Sequence, residues 1–145
     1  MANRSLRFSL AALVVAGLCA GGAIGCGKKA PLDLTITGEL KEGDSVRDDD
    51  NTFFDTHTFN ANEGDTVTVV MTADDPTSLD TYILVANPDG TEAGQNDDCN
   101  NSDPAEGSCL TFVATQKGTY SVDANSYDDS TNGAYTLRIT STLAQ

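Results

Sequence analysis

The sequence predicts an all-β fold: a single β-sandwich, jelly-roll-like domain of about eight antiparallel strands that follows a signal peptide. Three observations predict it. Apolar and polar residues alternate with a period of two, no part of the domain shows helical periodicity, and turns rich in Gly, Pro, Asn and Asp separate the alternating stretches. This alternation is typical of antiparallel sheets that bury one face and expose the other.

The predicted strands follow one another in chain order. Segments 53–60 and 92–95 are two of them, and segment 81–86, which is apolar on both faces, is typical of a central strand. The turn at 87–90 joins segments 81–86 and 92–95 as a hairpin. Alternation assigns the following residues to inward positions: Leu32, Leu34, Ile36, Val67, Val69, Met71, Leu110, Phe112, Ala114, Tyr120, Val122, Ala124, Tyr135, Leu137 and Ile139.

The tyrosines divide into core and surface candidates. Tyr82, Tyr120 and Tyr135 fall at strand positions that we predict to face the core. Tyr127 lies in the polar segment 127–133, which we predict to be a loop like segment 44–51, and we expect its ring to be exposed. Because the chain has no Trp, a carbohydrate-stacking surface would depend on Tyr and Phe.

The N-terminus has the pattern of a secretory signal peptide. Two arginines precede the apolar run 8–18, which is shorter than the roughly 20 apolar residues of a membrane span. Ala23-Ile24-Gly25-Cys26 then resembles the lipobox of bacterial lipoproteins. This resemblance implies that residues 1–25 are removed and that the Cys26 thiol is lipidated.

The expected organisation is therefore a signal peptide (1–25), the lipidated Cys26 with a short tether (26–33) and one domain (34–142). Two or three acyl chains would anchor the protein stably in a membrane. Because Gly27 rather than Asp follows the cysteine, the resemblance implies the outer membrane if the source has one. Ordinary cleavage that leaves Cys26 free is the alternative.

The chain is strongly acidic, with 22 Asp and Glu residues against eight Lys and Arg and a formal net charge of −14. Such a field repels nucleic acid and anionic lipid headgroups and attracts cations. We expect most of the carboxylates to form a solvated surface that keeps an exported protein monomeric.

Two cysteines lie within the predicted domain, Cys99 and Cys109. Disulfides form and persist in exported proteins, so we predict that these two residues are bonded. The chain has one His and no further domain Cys, which argues against a zinc site built on these thiols.

The domain resembles the bacterial pre-peptidase C-terminal family. Seven matching segments occur in the family's order: 55–59, 63–69, 79–84, 87–91, 96–98, 118–122 and 133–137. The resemblance implies an accessory β-sandwich of the kind attached to secreted peptidases and related to clostridial collagen-binding domains, and it supports the Cys99–Cys109 disulfide. The sequence departs from the family in two ways: it contains no peptidase domain, and His57 stands where Tyr is common.

The hairpin predicts a possible calcium site. If segments 80–87 and 91–96 pair, then Asp80 lies beside Asn96, Asp97 and Asp98, and Ca²⁺ prefers six to eight such oxygen ligands. Segment 48–51 with Asp55 is a second acidic candidate. Neither cluster has EF-hand spacing, and solvated acidic loops are the alternative for both.

His57, the single histidine, is the candidate for a catalytic base or a metal ligand, but no nucleophile signature accompanies it. We therefore interpret it as a half-buried strand residue and assign no catalytic residue. The sequence favours a non-catalytic envelope lipoprotein whose domain binds an extracellular protein or polysaccharide. A calcium-stabilised structural module and a small secreted hydrolase that uses the acidic loops are the alternatives.

Overall fold

A computed structural model describes residues 30–48, 50–99, 107–129 and 131–144. The predicted signal peptide, Cys26 and the tether up to Lys29 lie outside the described residues. The described part of the chain contains no helix long and apolar enough to cross a lipid bilayer.

The described chain forms a sandwich of two antiparallel sheets, which confirms the predicted fold class. Its strands are β1 (Asp33–Leu40), β2 (Ser45–Val46), β3 (Phe53–Ala61), β4 (Thr66–Ala73), β5 (Thr81–Ala86), β6 (Glu92–Asn96), β7 (Ser108–Val113), β8 (Gly118–Ser126) and β9 (Gly133–Thr142). The back sheet has the order β1-β9-β4-β7, and the front sheet has the order β2-β3-β8-β5-β6.

The core lies between the two sheets and is built mainly from the alternating residues that the sequence indicates. The inward prediction is wrong for Leu34, which is 38% exposed on β1, an edge strand of the back sheet. Met71, Val122 and Leu137 are fully buried. Tyr120 of the front sheet stacks on Phe59 at 5.5 Å between ring centroids and packs against Phe112 of the back sheet at 5.8 Å. Such aromatic pairs add about 0.5–1.5 kcal/mol beyond the burial of their surface, so this trio ties the two sheets together.

Two predictions about the front sheet are wrong. Tyr82 does not face the core: Thr81, Ile83 and Val85 occupy the buried positions of β5, and Tyr82 lies half-buried on the outer face. The polar segment 44–51 is not entirely loop, because β2 lies within it and pairs with β3.

The predicted hairpin is present and joins β5 to β6. Asn87 N–H donates to the carbonyl of Thr91 at 2.7 Å, and Gly90 supplies the positive φ of 83° that the turn requires. Asp89 accepts hydrogen bonds from Thr91 and Gln116, which hold the pKa of its carboxyl at about 2. The hairpin fixes which residues meet at the far end of β5 and β6.

Candidate functional site

A polar cleft opens on the outer face of the front sheet, at the end of the sheet where β5 begins and β6 ends. Its volume is about 420 Å³. The residues that line it come from the segment after β2, from β5 and β6, and from the loops that follow β6 and β8: Arg47, Asp50, Tyr82, Gln95, Asn96, Asp97 and Tyr127. A second hollow of about 320 Å³ adjoins it, and Arg47 lines both.

Two tyrosines form one wall of the cleft. The Tyr82 hydroxyl donates a hydrogen bond to Oε1 of Gln95, which fixes the ring on the sheet surface. Tyr127 meets Tyr82 edge to face, with 6.3 Å between ring centroids and an interplanar angle of 74°. The Tyr127 N–H donates to the carbonyl of Asp80, and its ring is 57% exposed, which confirms the predicted exposure. The wall therefore presents an accessible aromatic face on a fixed backbone.

The segment after β2 forms the opposite side. Arg47 N–H donates to the Thr52 carbonyl, and Asn51, at a φ of 60°, donates its N–H to the Arg47 carbonyl. Asp50 Oδ1 accepts from both the N–H and the hydroxyl of Thr52, and these hydrogen bonds lower the pKa of the Asp50 carboxyl. Arg47 Nε lies 3.8 Å from Asp50 Oδ2. This tight turn keeps one carboxylate and one guanidinium at the cleft.

The floor near β6 is braced by Asn96 and the disulfide. The Asn96 amide nitrogen donates to the carbonyls of Asp98 and Cys109, each at 2.6 Å, and its oxygen accepts from the N–H of Asp97 at 3.0 Å. The predicted Cys99–Cys109 disulfide is present, with 4.6 Å between the Cα atoms. The side chain of Asn96 thus acts as a structural bridge between β6 and β7.

The structure brings the predicted calcium residues to the same end of the hairpin. Burial raises the pKa of the Asp80 carboxyl, and the nearby charges of Asp98 and Asp97 raise it further. However, the Asn96 oxygen is occupied by backbone N–H groups. Within the described residues, no three His, Cys, Asp or Glu side chains form a group that could hold a metal ion.

The second acidic candidate does not form one cluster. Asp48 lines the adjoining hollow, Asp50 caps its own turn, and Asp49 lies outside the described residues. Asp55 instead accepts a hydrogen bond from the buried Tyr135 hydroxyl at 2.8 Å.

His57 belongs to this same buried network and not to the cleft. Its Nε2 lies 2.8 Å from the Tyr135 hydroxyl oxygen. Because the hydroxyl proton goes to Asp55, Nε2 carries the proton of this second bond. Burial lowers the pKa of His57 and, together with Asp55, strongly raises that of Tyr135. His57 lies on β3 and is half-buried, as the sequence predicts. Its hydrogen-bond partner Tyr135 is only 1% exposed.

Sequence reasoning missed Asn125. It lies on β8 opposite Tyr82 and Phe54 and shares their face of the front sheet. Its side chain is fully buried, yet neither its amide nitrogen nor its amide oxygen has a hydrogen-bond partner among the residues that the structure describes. Alternation along β8 predicts an ordinary solvent-facing residue here, so no sequence signal marks it.

The fold has counterparts among solved structures. No family model matches the sequence, and no curated protein matches it. The pre-peptidase C-terminal domain of a collagenase from Bacillus anthracis aligns with a TM-score of 0.53 and 18% identity, covering 74% of this chain and 89% of that domain. PliG of Aeromonas hydrophila, a periplasmic inhibitor of g-type lysozyme, aligns with a TM-score of 0.49 and 15% identity, covering 77% and 86%. The chain therefore has a fold similar to that of a pre-peptidase C-terminal domain.

Proposed function

We propose that this chain is a non-catalytic lipoprotein of the cell envelope, anchored through Cys26, whose β-sandwich binds an extracellular protein or polysaccharide. The observation that carries the binding role is the cleft beside Tyr82 and Tyr127. It combines an exposed aromatic ring with hydrogen-bonding side chains on a rigid sheet, which is how ligand sites achieve both contact area and specificity.

The buried network argues against hydrolysis. A histidine beside a hydroxyl is the arrangement of an activated nucleophile, but Tyr135 is nearly inaccessible, and its raised pKa keeps the hydroxyl protonated. Its proton is directed at Asp55. A substrate would have no access to this oxygen without opening the core.

Binding is tested by presenting the purified full-length chain, in detergent, to arrays of extracellular polysaccharides and peptides. We expect a ligand whose binding is weakened by Tyr127→Leu and retained by Tyr127→Phe, because Phe keeps the exposed ring. The proposal would be contradicted if neither substitution changed the affinity for any ligand. Enzymatic turnover of a polysaccharide or peptide from the arrays would also contradict it.

The anchor is tested separately by metabolic labelling with a palmitate analogue in a bacterial host. Label should enter the wild-type protein and be absent from Cys26→Ser. Equal labelling of both would contradict lipidation at Cys26, and label in neither would favour ordinary signal cleavage.

A calcium-stabilised module is the second candidate, favoured by the raised pKa of Asp80 beside Asp97 and Asp98, since a cation would relieve that repulsion. Thermal unfolding with millimolar CaCl₂ or MgCl₂ at matched ionic strength distinguishes the cases. Selective binding raises the unfolding midpoint with Ca²⁺ only, and Asp80→Asn should abolish the rise. Equal small shifts from both salts would mean charge screening alone.

A further inference from the structure

Several carboxylates lie in and around the cleft. Asp50 and Asp97 line it, and the carboxyl of Asp80 is close enough to Asp97, Asp98 and Asp128 for their charges to raise its pKa after the effect of burial. Arg47 is the one basic residue among the lining residues that the structure describes. A cationic group that enters the cleft is therefore attracted, whereas an anionic ligand is repelled.

The walls present two features that suit a cation. The rings of Tyr82 and Tyr127 meet as a corner, and the ring of Tyr127 is accessible to solvent. Aromatic faces attract ammonium and guanidinium groups. The carboxylate of Asp97 accepts no hydrogen bond from any residue that the structure describes, while its backbone is fixed by Asn96 and Ser108. A partner's cation would meet this carboxylate on a backbone that hydrogen bonds hold in place.

The cleft already accommodates one guanidinium from the chain itself. Arg47 Nε lies 3.8 Å from Asp50 Oδ2. Burial raises the pKa of the Tyr82 hydroxyl, and the nearby charge of Arg47 offsets part of that rise. Tyr127 and Asp97, which also line the cleft, are not positively charged.

We infer that the cleft receives a lysine or arginine side chain of a partner protein, held against the rings of Tyr127 and Tyr82 and paired with the carboxylate of Asp97. This inference rests on the proposed binding function and names its ligand as a basic peptide segment. A neutral polysaccharide gains nothing from the charge of the cleft, which is why the observations favour the peptide.

Asn125 supplies independent support for a ligand surface at this place. Its buried amide has no partner among the described residues and lies between Tyr82 of the cleft and Phe54 of the adjoining hollow. Arg47 lines both the cleft and the hollow. An unsatisfied buried amide costs about 1–3 kcal/mol, and native proteins contain few such groups.

The test is a two-dimensional NMR titration of the purified full-length chain in detergent with short capped Gly/Ser peptides that carry one central residue. That residue is Arg, Lys, citrulline (the neutral isostere of Arg) or Glu. We expect the Arg and Lys peptides to shift the signals of Tyr127 and Gln95 at millimolar concentration and the other two peptides to leave them unchanged.

Matched variants separate the site from the bulk charge. Asp97→Asn should weaken binding of the Arg peptide about fivefold, whereas Glu63→Gln removes an equal charge from an exposed loop after β3 and should change it less than about twofold. Tyr127→Leu should weaken binding about threefold, and Tyr127→Phe should preserve it.

Equal effects of Asp97→Asn and Glu63→Gln, or citrulline binding as well as Arg, would overturn the inference, because binding would then not depend on a specific cation site. If an arrayed polysaccharide binds through Tyr127 while the Arg and Lys peptides do not bind, the inference fails but the proposed binding function stands. If no ligand of either class depends on Tyr127, both fail.

Discussion

Two buried polar groups lie on opposite faces of the front sheet and differ in how they are hydrogen-bonded. On the inner face, Tyr135 links Asp55 to His57 by two hydrogen bonds of 2.8 Å each. On the outer face, Asn125 has no partner for either end of its amide within the described chain. The first group stabilises the sandwich, and the second costs stability beside a cleft. The difference is between a polar group whose hydrogen bonds are made within the fold and one whose hydrogen bonds are not.

The largest predicted effect comes from crowding the inner network. A Cβ at position 38 would overlap Cζ and Oη of Tyr135, so Gly38→Ala must displace the ring and its hydrogen bonds. We expect a loss of about 3 kcal/mol in the free energy of unfolding, measured by urea denaturation. The control is Gly94→Ala, whose Cβ meets only the flexible end of Leu110 at 3.1 Å. Equal losses from both variants would contradict the role assigned to Gly38.

Removing one oxygen from the network should have a somewhat smaller effect. Tyr135→Phe keeps the ring in the core but leaves Asp55 and the His57 Nε2–H without their shared partner. An unpaired buried group costs about 1–3 kcal/mol, so we expect a loss of about 2 kcal/mol in the free energy of unfolding. A loss below about 0.5 kcal/mol would show that water replaces the hydroxyl and that the network is not structural.

Two asparagines sharpen the comparison, because the same substitution should change stability in opposite directions. Asn125→Leu replaces an unsatisfied amide by an apolar side chain with the same branching and the same number of heavy atoms, and we expect the free energy of unfolding to rise by about 1 kcal/mol. Asn96→Leu removes an amide that bonds the carbonyls of Asp98 and Cys109, and we expect a fall of about 2 kcal/mol. Thermal unfolding of both variants checks the signs. Destabilisation by Asn125→Leu would mean that its amide is paired in solution.

The contrast between these groups also shows what the sequence could predict. The period of two identifies Met71, Val122 and Leu137 as core because each lies in a strand with one apolar face. It fails for Tyr82 because segment 81–86 is apolar on both faces, so alternation cannot say which face is inward. The fold class and the hairpin followed from local patterns of this kind.

The cleft could be predicted only in part. The turn chemistry of the β5–β6 hairpin placed Asp80 beside Asp97, and loop composition indicated that Tyr127 is exposed. The burial of Asn125 depends on its neighbours across two other strands, Phe54 and Tyr82. The two-residue strand β2 is too short for any periodic signal. Both features arise from contacts between segments that are distant in sequence.

The smallest predicted effect is a pH dependence from the inner network. Burial lowers the pKa of His57 below 6.5, although Asp55 and Asp123 oppose this shift. The unfolded chain therefore binds a proton more readily than the folded chain. The stability contributed by neutral His57 is complete above pH 6.5 and is lost as the pH falls from 6.5 toward the lowered folded-state pKa.

His57→Gln tests this assignment, because an amide can still donate to Tyr135 but does not titrate in this range. Unfolding midpoints measured from pH 7.5 to pH 5 should fall more for the wild type than for the variant. The comparison must be a difference between the two proteins, since protonation of the many surface carboxylates also relieves repulsion at low pH. Parallel profiles would show that His57 titrates alike in the folded and unfolded chains. The hydrogen-bonded network around Tyr135 would then be accessible to water. It could no longer be contrasted, as a buried and satisfied group, with the amide of Asn125, which has no partner within the described chain.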